Sequence, residues 1–397
     1  MTDIIVLGAG MVGVCTALAL QDQGHAVSVI DRRGPGQETS YGNAGIIQAE
    51  AVEPYPLPLD LPTLADIALG RTNNVAWSLG GMRHWLGPVL RYARNSLPHG
   101  YRSRIVPAWS RMIHSATADH GALIAASGAE DLISREGYRK VYRTECEFAA
   151  AAAAAGRYQA EHGVPHRLLD GAEIAAAEPG LRHPLAGAVH WTSSWSCKDP
   201  GALVERYADL FERRGGRFLR GDAMSLQRQG QGWLVQADGG AVEAERAVVC
   251  LGPWSPGLLA RFGHRIPMVF KRGYHRHFGV EQGPRLPMMD VETGTFLSPM
   301  TRGLRVLTGA ELNGIAAPPS LRQLQYSTQA AQQLFKLGVP VEDKAWMGTR
   351  PCLPGMLPMI GPSPRQPGLW YNFGHGHQGF TLGPTTARLL SEAMKAA

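Results

Sequence analysis

Hydrophobic and polar positions in residues 3–31 fall into three blocks. Residues 3–7 form an apolar run that ends in glycine, residues 11–22 place apolar side chains at helical spacing, Gly24 stops that pattern, and "AVSVI" is a second apolar run. Short continuous apolar runs predict strands buried on both faces, so the segment reads strand, turn, helix, strand. Parallel strands need a crossover helix of this kind, and a βαβ unit predicts a parallel sheet.

Residues 34–62 lose periodicity in "RRGPGQETSYGNAG" and "EPYPLPLDLP", and helical patterns follow over about 77–128. "FAAAAAAAGRYQAEHG" and "GAEIAAAEPGL" are further helix segments, the second closed by Pro179 and Gly180. An amphipathic helix at about 201–214 leads into alternating strands that end in the buried run before Gly252. Residues 266–312 again alternate as antiparallel strands, 320–337 read as helix, and a glycine-rich loop opens a last helix at about 379–395. Parallel and antiparallel patterns interleave, which predicts one domain threaded through another. The expected division is 1–80, 196–265 and 345–397 against 81–195 and 266–344.

Composition adds little that is specific. A chain of 397 residues with 44% hydrophobic and 18% charged positions is long enough for two or three globular domains. The net charge of +6 comes from scattered residues, which argues for mild steering of anionic ligands and against nucleic acid as a partner. Five cysteines without CxxC spacing fit a reducing compartment. The first apolar run has no charged region before it and is too short to span a bilayer, so the chain reads as cytoplasmic, with peripheral contact at the inner face of a membrane left open.

The chemistry begins at Gly8-x-Gly10-x-x-Gly13, between the first strand and helix. The first glycine permits the tight turn, the second lets backbone approach a pyrophosphate, and the third lets helix and strand pack closely. Amide groups at the helix start, around Met11 and Val12, would hold the phosphates. Asp31 ends the second strand, where a carboxylate accepts hydrogen bonds from ribose hydroxyls and repels a 2′-phosphate. The motif predicts a dinucleotide but does not separate NAD from FAD.

Three later stretches bear on that choice. "ETSYGNAG" (38–45), "VVCLGPWSPGLL" (248–259) and "RPCLPGMLPMIGPSP…LWYNFGHGHQGFTLGPTTARLL" (350–390) resemble segments of the D-amino-acid oxidase family of FAD-dependent oxidoreductases. "KRGYH" and "FLSPMTRGLRVLTGAEL" (296–312) are similar to the substrate-domain strands of bacterial D-amino acid and D-hydroxyproline dehydrogenases. Residues 60–190 match poorly. The resemblance implies a glutathione-reductase-type, Rossmann-like α/β domain that binds FAD, interleaved with an antiparallel β-sheet substrate domain.

It also implies an activity: oxidation of the Cα–N bond of a D-amino acid or cyclic imino acid by hydride transfer to flavin N5. Arg350 would bind the substrate carboxylate, with Arg272, Tyr274 and His377 as further catalytic candidates. Around non-covalent FAD the resemblance places Arg32, Thr39, Ser40, Asn43, Ala44, Gly45 and Ile46 from the "ETSYGNAG" region, and Ala223, Met224, Gly252 and Trp254 from later strands. Arg350, Gly376, His377, Gln378, Gly379, Phe380 and Thr381 complete that set. His275 and His277 share a strand face but lack neighbours to complete a ligand set, so no metal is expected.

Two positions depart from the family pattern. Leu353-Pro354-Gly355-Met356 replaces a run that often holds an acidic residue, and Phe296 stands where a tyrosine is common. Both changes favour an apolar or cyclic substrate of the proline or hydroxyproline type. A glycine- or sarcosine-type amine oxidase, an NAD-dependent dehydrogenase and an FAD-binding subunit of an electron-transfer complex are the competing readings. The electron acceptor (quinone, oxygen or another) and the oligomeric state are not encoded in any motif.

Overall fold

The computed structural model describes residues 2–397 and contains two large sheets with helices packed between and around them. The first sheet has eight strands. At its centre Ala26–Asp31, Asp3–Leu7, Arg246–Val249 and Leu369–Phe373 run parallel, with Arg217–Gln229 parallel to the outer side of Ala26–Asp31. Antiparallel strands finish both edges: Gly232–Ala237 and Gly240–Ala244 on one side, Met359–Pro362 on the other. The crossover Met11–Gln21 buries eight residues, Met11, Gly13, Val14, Cys15, Thr16, Ala17, Leu18 and Leu20, because the sheet covers one side and other helices the rest. Each large apolar side chain fully buried there contributes about 1.5–3 kcal/mol.

One of those helices is the last, Gly379–Lys395, whose Gly383 comes so near Met11 that a Cβ would meet the Met11 side chain at 2.7 Å. The other face of the sheet is closed by Leu258 and Leu259 and by the folded-over edge strands around Trp233.

The second sheet has eleven strands and is mostly antiparallel. Its long central strand, Val269–Val280, pairs with Gly303–Leu307, with Ala310–Leu312 and, in unbroken register over seven residues, with Trp346–Cys352. Thr295–Met300, Met288–Asp290, Tyr138–Tyr142, Gly187–Trp191 and His166–Asp170 extend it. The predicted interleaving is therefore present in the strand order.

Three segments differ from the expected division. Val75–Trp77 pairs with Ala310–Leu312, and Trp346–Cys352 pairs with Val269–Val280, so both belong to the second sheet. The helix Val106–Ser127 bridges the two: Trp109, Ile113 and Ala116 pack with Tyr138, Val189 and Trp191 of the second sheet, whereas Ile124 enters the core of the first sheet's helices and His120 bonds the Phe380 carbonyl. Each was assigned by its place in the sequence, whereas strand pairing and apolar burial decide where a segment packs.

Residues 61–68 form a helix at the end of the predicted loop and ahead of the helices expected from about 77, capped by the Asp60 side chain on the Thr63 amide. None of its residues is buried.

Candidate functional site

A cavity of about 620 Å³ runs between the two sheets. One end is the glycine turn. Gly8 has φ of +105° and lies so close to the neighbouring strand that a Cβ would sit 2.7 Å from the Cys250 carbonyl oxygen. At Gly13 a Cβ would lie 1.8 Å from the Gly8 carbonyl oxygen, so this glycine sets how near the helix comes to the turn. Gly10 precedes the helix without a side-chain cap, and the Met11 amide donates to Ser40 Oγ at 2.9 Å. The Asp31 carboxylate accepts from the Ala9 amide at 2.7 Å and the Arg33 amide at 3.1 Å, which fixes it against the turn. Arg32 lies 4.5 Å over the Trp254 ring and pairs with Glu38.

The loop after Ser40 is held by the second sheet. Buried Arg305 donates to the carbonyls of Tyr41 and Asn43 at 2.8 and 2.6 Å, and Ser298 donates to that of Ala44 at 2.8 Å. Small residues are required here. The Trp346 ring would overlap a Cβ on Gly42, and Gly45, at φ +72°, would push one into the Cys197 carbonyl. The loop's backbone can therefore line the cavity at Gly42, Asn43 and Ala44.

At the far end stand Arg350, Lys271, His377, Tyr55, Tyr92, Tyr138, Tyr274 and Phe296. Arg350 lies across Gly273, where a Cβ would meet its terminal nitrogens at 2.8 Å, and donates to the Gly309 carbonyl at 3.2 Å. It has no carboxylate within 4.0 Å among the described residues, and burial lowers its pKa from the ordinary guanidinium value. His377 is pushed well below its ordinary pKa by burial first and by the charges of Arg350 and Lys271 next, so it is neutral. The Tyr138 hydroxyl donates to buried Glu50, which also accepts from Ser194 at 2.7 Å and Gln48 at 2.7 Å. Tyr138 stacks on Phe296 at 5.9 Å between ring centroids. The last helix begins at Gly379 without a side-chain cap, and Gly379 and Phe380 line the cavity.

The cavity brings together most of the residues predicted from sequence: Gly8, Gly10, Met11, Val12, Asp31, Arg32, Thr39, Ser40, Asn43, Ala44, Ile46, Ala223, Met224, Gly252, Trp254, Tyr274, Arg350, Gly376, His377, Gly379 and Phe380. Five expected residues lie behind its wall. Gly13 and Gly45 shape the backbone from there. Gln378 bonds Gln48 at 2.6 Å, and the Thr381 hydroxyl accepts from the Gln48 amide and donates to the Ile46 carbonyl, so these two brace the loop against the last helix.

Arg272 is the clearest departure from expectation. It is fully buried, pairs with Glu311 at 3.0 Å and donates to the carbonyls of Gly314, Ala317 and Pro318. Its donors are used inside the sheet, so it cannot also clamp a substrate carboxylate. The same network takes the Tyr274 hydroxyl, which donates to Glu311 and accepts from Arg272 and the Ser320 amide. Tyr274 borders the cavity, but its side chain leaves the strand on the face of Arg272, opposite Val269, Lys271 and Gly273, so its hydroxyl is not offered to a substrate. His277 is held by Glu342 at 2.5 Å and by Arg305 at 2.9 Å, while His275 stacks on Trp346 at 4.8 Å.

Sequence reasoning missed Lys271, Tyr92, Tyr138 and Tyr55. Lys271 gains its meaning from its register with Arg350 on the neighbouring strand, which no local pattern shows. The tyrosines come from segments without a motif.

The turn, the uncapped helix starts and the long cavity between them fit an elongated dinucleotide with a flat ring system: phosphates at the glycine turn, ribose at Asp31 and the ring against the second sheet. Cys352 is outside this cavity, and burial raises its thiol pKa, so no thiolate faces the ring position.

Comparison with known proteins agrees with this geometry. The profile of the DAO family, described as FAD dependent oxidoreductase, matches residues 3–393. A D-amino acid dehydrogenase of Cereibacter sphaeroides is 32% identical over 98% of this chain and 91% of its own length. A D-amino-acid oxidase of Bradyrhizobium diazoefficiens is 28% identical over 98% of this chain and 94% of its own. Among solved structures, glycine oxidase from Geobacillus kaustophilus superposes with a TM-score of 0.74 at 18% identity, covering 100% of this chain and 95% of that one, which establishes the shared fold.

Proposed function

The chain belongs to the FAD dependent oxidoreductase family, and on that premise we propose that it oxidises the Cα–N bond of a D-amino acid or cyclic imino acid to the imine, which is then hydrolysed or released. The observation that carries this reading is Arg350: a half-buried guanidinium that lines the cavity and has no acidic partner among the described residues. Drawing an unpaired charge partly out of water is unfavourable, and a substrate carboxylate offsets that cost.

Bound FAD supplies the hydride acceptor. Arg350 presents a planar fork to the carboxylate, and Gly273 lets that fork lie flat on the strand. Tyr138 and Phe296 form a stacked wall, and the hydrogen bond to Glu50 fixes the Tyr138 ring. His377 adds a polar ring without a further positive charge. The uncapped start of the last helix turns partial positive charge toward the cavity, favouring electron-rich groups there. Cys352 does not line the cavity, which fits FAD bound without a covalent link to that thiol.

The test is anaerobic mixing of the purified flavoprotein with D- and L-amino acids, D-proline, D-hydroxyproline, glycine and N-methylglycine. Bleaching of the flavin by D-substrates is expected. Bleaching by glycine and N-methylglycine alone would favour an amine oxidase of that type, and no bleaching by any of them would leave an electron-passing subunit. Subsequent addition of oxygen or of a soluble quinone identifies the class of acceptor.

The second part of the proposal is peripheral contact with an anionic membrane surface. No helix among the described residues is long and apolar enough to cross a membrane. The segment 55–97 nevertheless exposes Leu61, Leu69, Leu79, Leu86, Leu90 and Leu97, with Leu61 at 80% and Leu79 at 73%. Leu86 and Leu90 share one face of the helix Met82–Asn95. Exposed Arg83, Arg91 and Arg94 on that helix have no carboxylate within 4.0 Å among the described residues. Apolar side chains fringed by arginine suit a helix lying in a lipid interface. The chain is expected to sediment with anionic vesicles and stay in the supernatant with zwitterionic ones, and Leu79→Glu with Leu90→Glu should release it. Failure to sediment with either vesicle would overturn this part.

A further inference from the structure

The far end of the cavity holds two cations where one suffices for an α-carboxylate. Lys271 and Arg350 are register partners on the antiparallel strands Val269–Val280 and Trp346–Cys352, so their side chains leave from directly opposed positions on one face. Both line the cavity. Arg350 leans along Gly273 toward the Gly309 carbonyl, whereas the Lys271 ammonium turns to the Tyr92 ring, 4.7 Å from its centroid. Their charged ends thus diverge from adjacent roots.

Like charges placed directly opposite each other destabilise a sheet, and the protein provides nothing to neutralise this pair. Neither has a carboxylate within 4.0 Å among the described residues. The lining carboxylates, Asp31, Glu38 and Asp222, sit on the first sheet and the loop after it. No lining residue contributed by the second sheet is acidic. The turn after Arg350, residues 353–356, carries no carboxylate either. Burial and these same two charges keep His377 neutral, so the excess positive charge belongs to Lys271 and Arg350.

We infer that the substrate is a dicarboxylate, an amino or imino acid whose α-carboxylate binds Arg350 and whose second carboxylate binds Lys271 beside Tyr92. The inference rests on the amino-acid reading above and narrows it. It also replaces the expectation of an apolar or cyclic substrate, which rested on the lost acidic residue and Phe296. Loss of a carboxylate beside two cations admits an anion; it does not make the cavity apolar. Val269, Val89 and Leu312 offer apolar contact to the methylenes between the two carboxylates.

The test uses the intact flavoprotein and two readouts. Equilibrium binding of malonate, succinate and glutarate, with acetate and butyrate as single-charge probes, is followed by perturbation of the flavin spectrum without turnover. One dicarboxylate is expected to bind roughly 10- to 100-fold more tightly than butyrate, the range of one charged hydrogen bond. Lys271→Met, which keeps the apolar stem over Tyr92, should collapse that preference, and Lys271→Arg should retain it. The ratio of kcat/KM for D-aspartate or D-glutamate to that for D-alanine should fall in parallel. Equal binding of single and double acids, or a preference that survives in Lys271→Met and in Lys271→Gln, would overturn the inference. In that outcome bleaching by D-alanine or D-proline still supports amino-acid oxidation, whereas no bleaching by any amino acid breaks the underlying reading itself.

Discussion

Replacing Arg350 by alanine is expected to lower kcat/KM for amino-acid substrates by about 30- to 5,000-fold, corresponding to about 2–5 kcal/mol for removing one partner of a buried charge pair. The expectation follows from its surroundings. Arg350 makes one hydrogen bond to protein, to the Gly309 carbonyl, and its remaining donors face a cavity without an acidic neighbour. The carboxylate is held before and during the reaction, so KM should rise. Looser placement of the reacting carbon should lower kcat as well. Rates must be expressed per bound flavin, since Arg350 also lies beside the ring position. Arg350→Lys should recover only part of the loss, because a point charge cannot replace the fork. Gly273→Ala gives an independent check, since its Cβ would come within 2.8 Å of the guanidinium nitrogens and displace the group without removing it. Near-normal kcat/KM in Arg350→Ala would assign carboxylate binding elsewhere.

How much of this was legible in the sequence depends on the range of the contacts involved. The opening βαβ unit appears almost as read, with the strand Asp3–Leu7, the helix Met11–Gln21 and the strand Ala26–Asp31. Its signals are local: apolar runs, glycine punctuation and helical spacing. The last helix, Gly379–Lys395, was legible for the same reason. Arg272 shows where such reading stops. In the sequence it is an arginine on a substrate-domain strand and a second, weaker candidate beside Arg350. What separates them is Glu311 with three carbonyls on one side and an open cavity on the other, and those partners lie 39 to 46 residues away in the chain. Lys271 was overlooked because its meaning depends on register with Arg350, a long-range pairing that no local pattern fixes. The helix Leu61–Ala68 is short and follows a proline-rich stretch, whose punctuation reads as loop and hides the helix start.

Gly13→Ala is expected to cost the protein its flavin. The added Cβ would sit 1.8 Å from the Gly8 carbonyl oxygen and 2.9 Å from its carbon, distances at which atoms cannot remain. No flexible side chain can give way, since the obstacle is backbone. Gly8 is itself pinned, with its amide donating to the Ile30 carbonyl at 2.8 Å and its Cα facing the Cys250 carbonyl. The helix must therefore move away from the turn, and the amides that would hold the pyrophosphate move with it. Overpacking of a rigid site costs about 1–3 kcal/mol or more. The ratio of flavin to protein absorbance in the purified variant should fall more than about tenfold, since each 1.4 kcal/mol of lost binding is a factor of ten. Two variants separate this from general destabilisation. Gly24→Ala strains a left-handed residue but meets nothing within 4 Å, so it should cost about 1 kcal/mol of stability and keep its flavin. Gly10→Ala meets only Ser40 Oγ, at 3.2 Å, so it should fold normally and hold flavin more weakly than the parent. A Gly13→Ala protein that stays fully yellow would show that the cofactor is held mainly by the second sheet and the last helix, with the glycine turn in a lesser role.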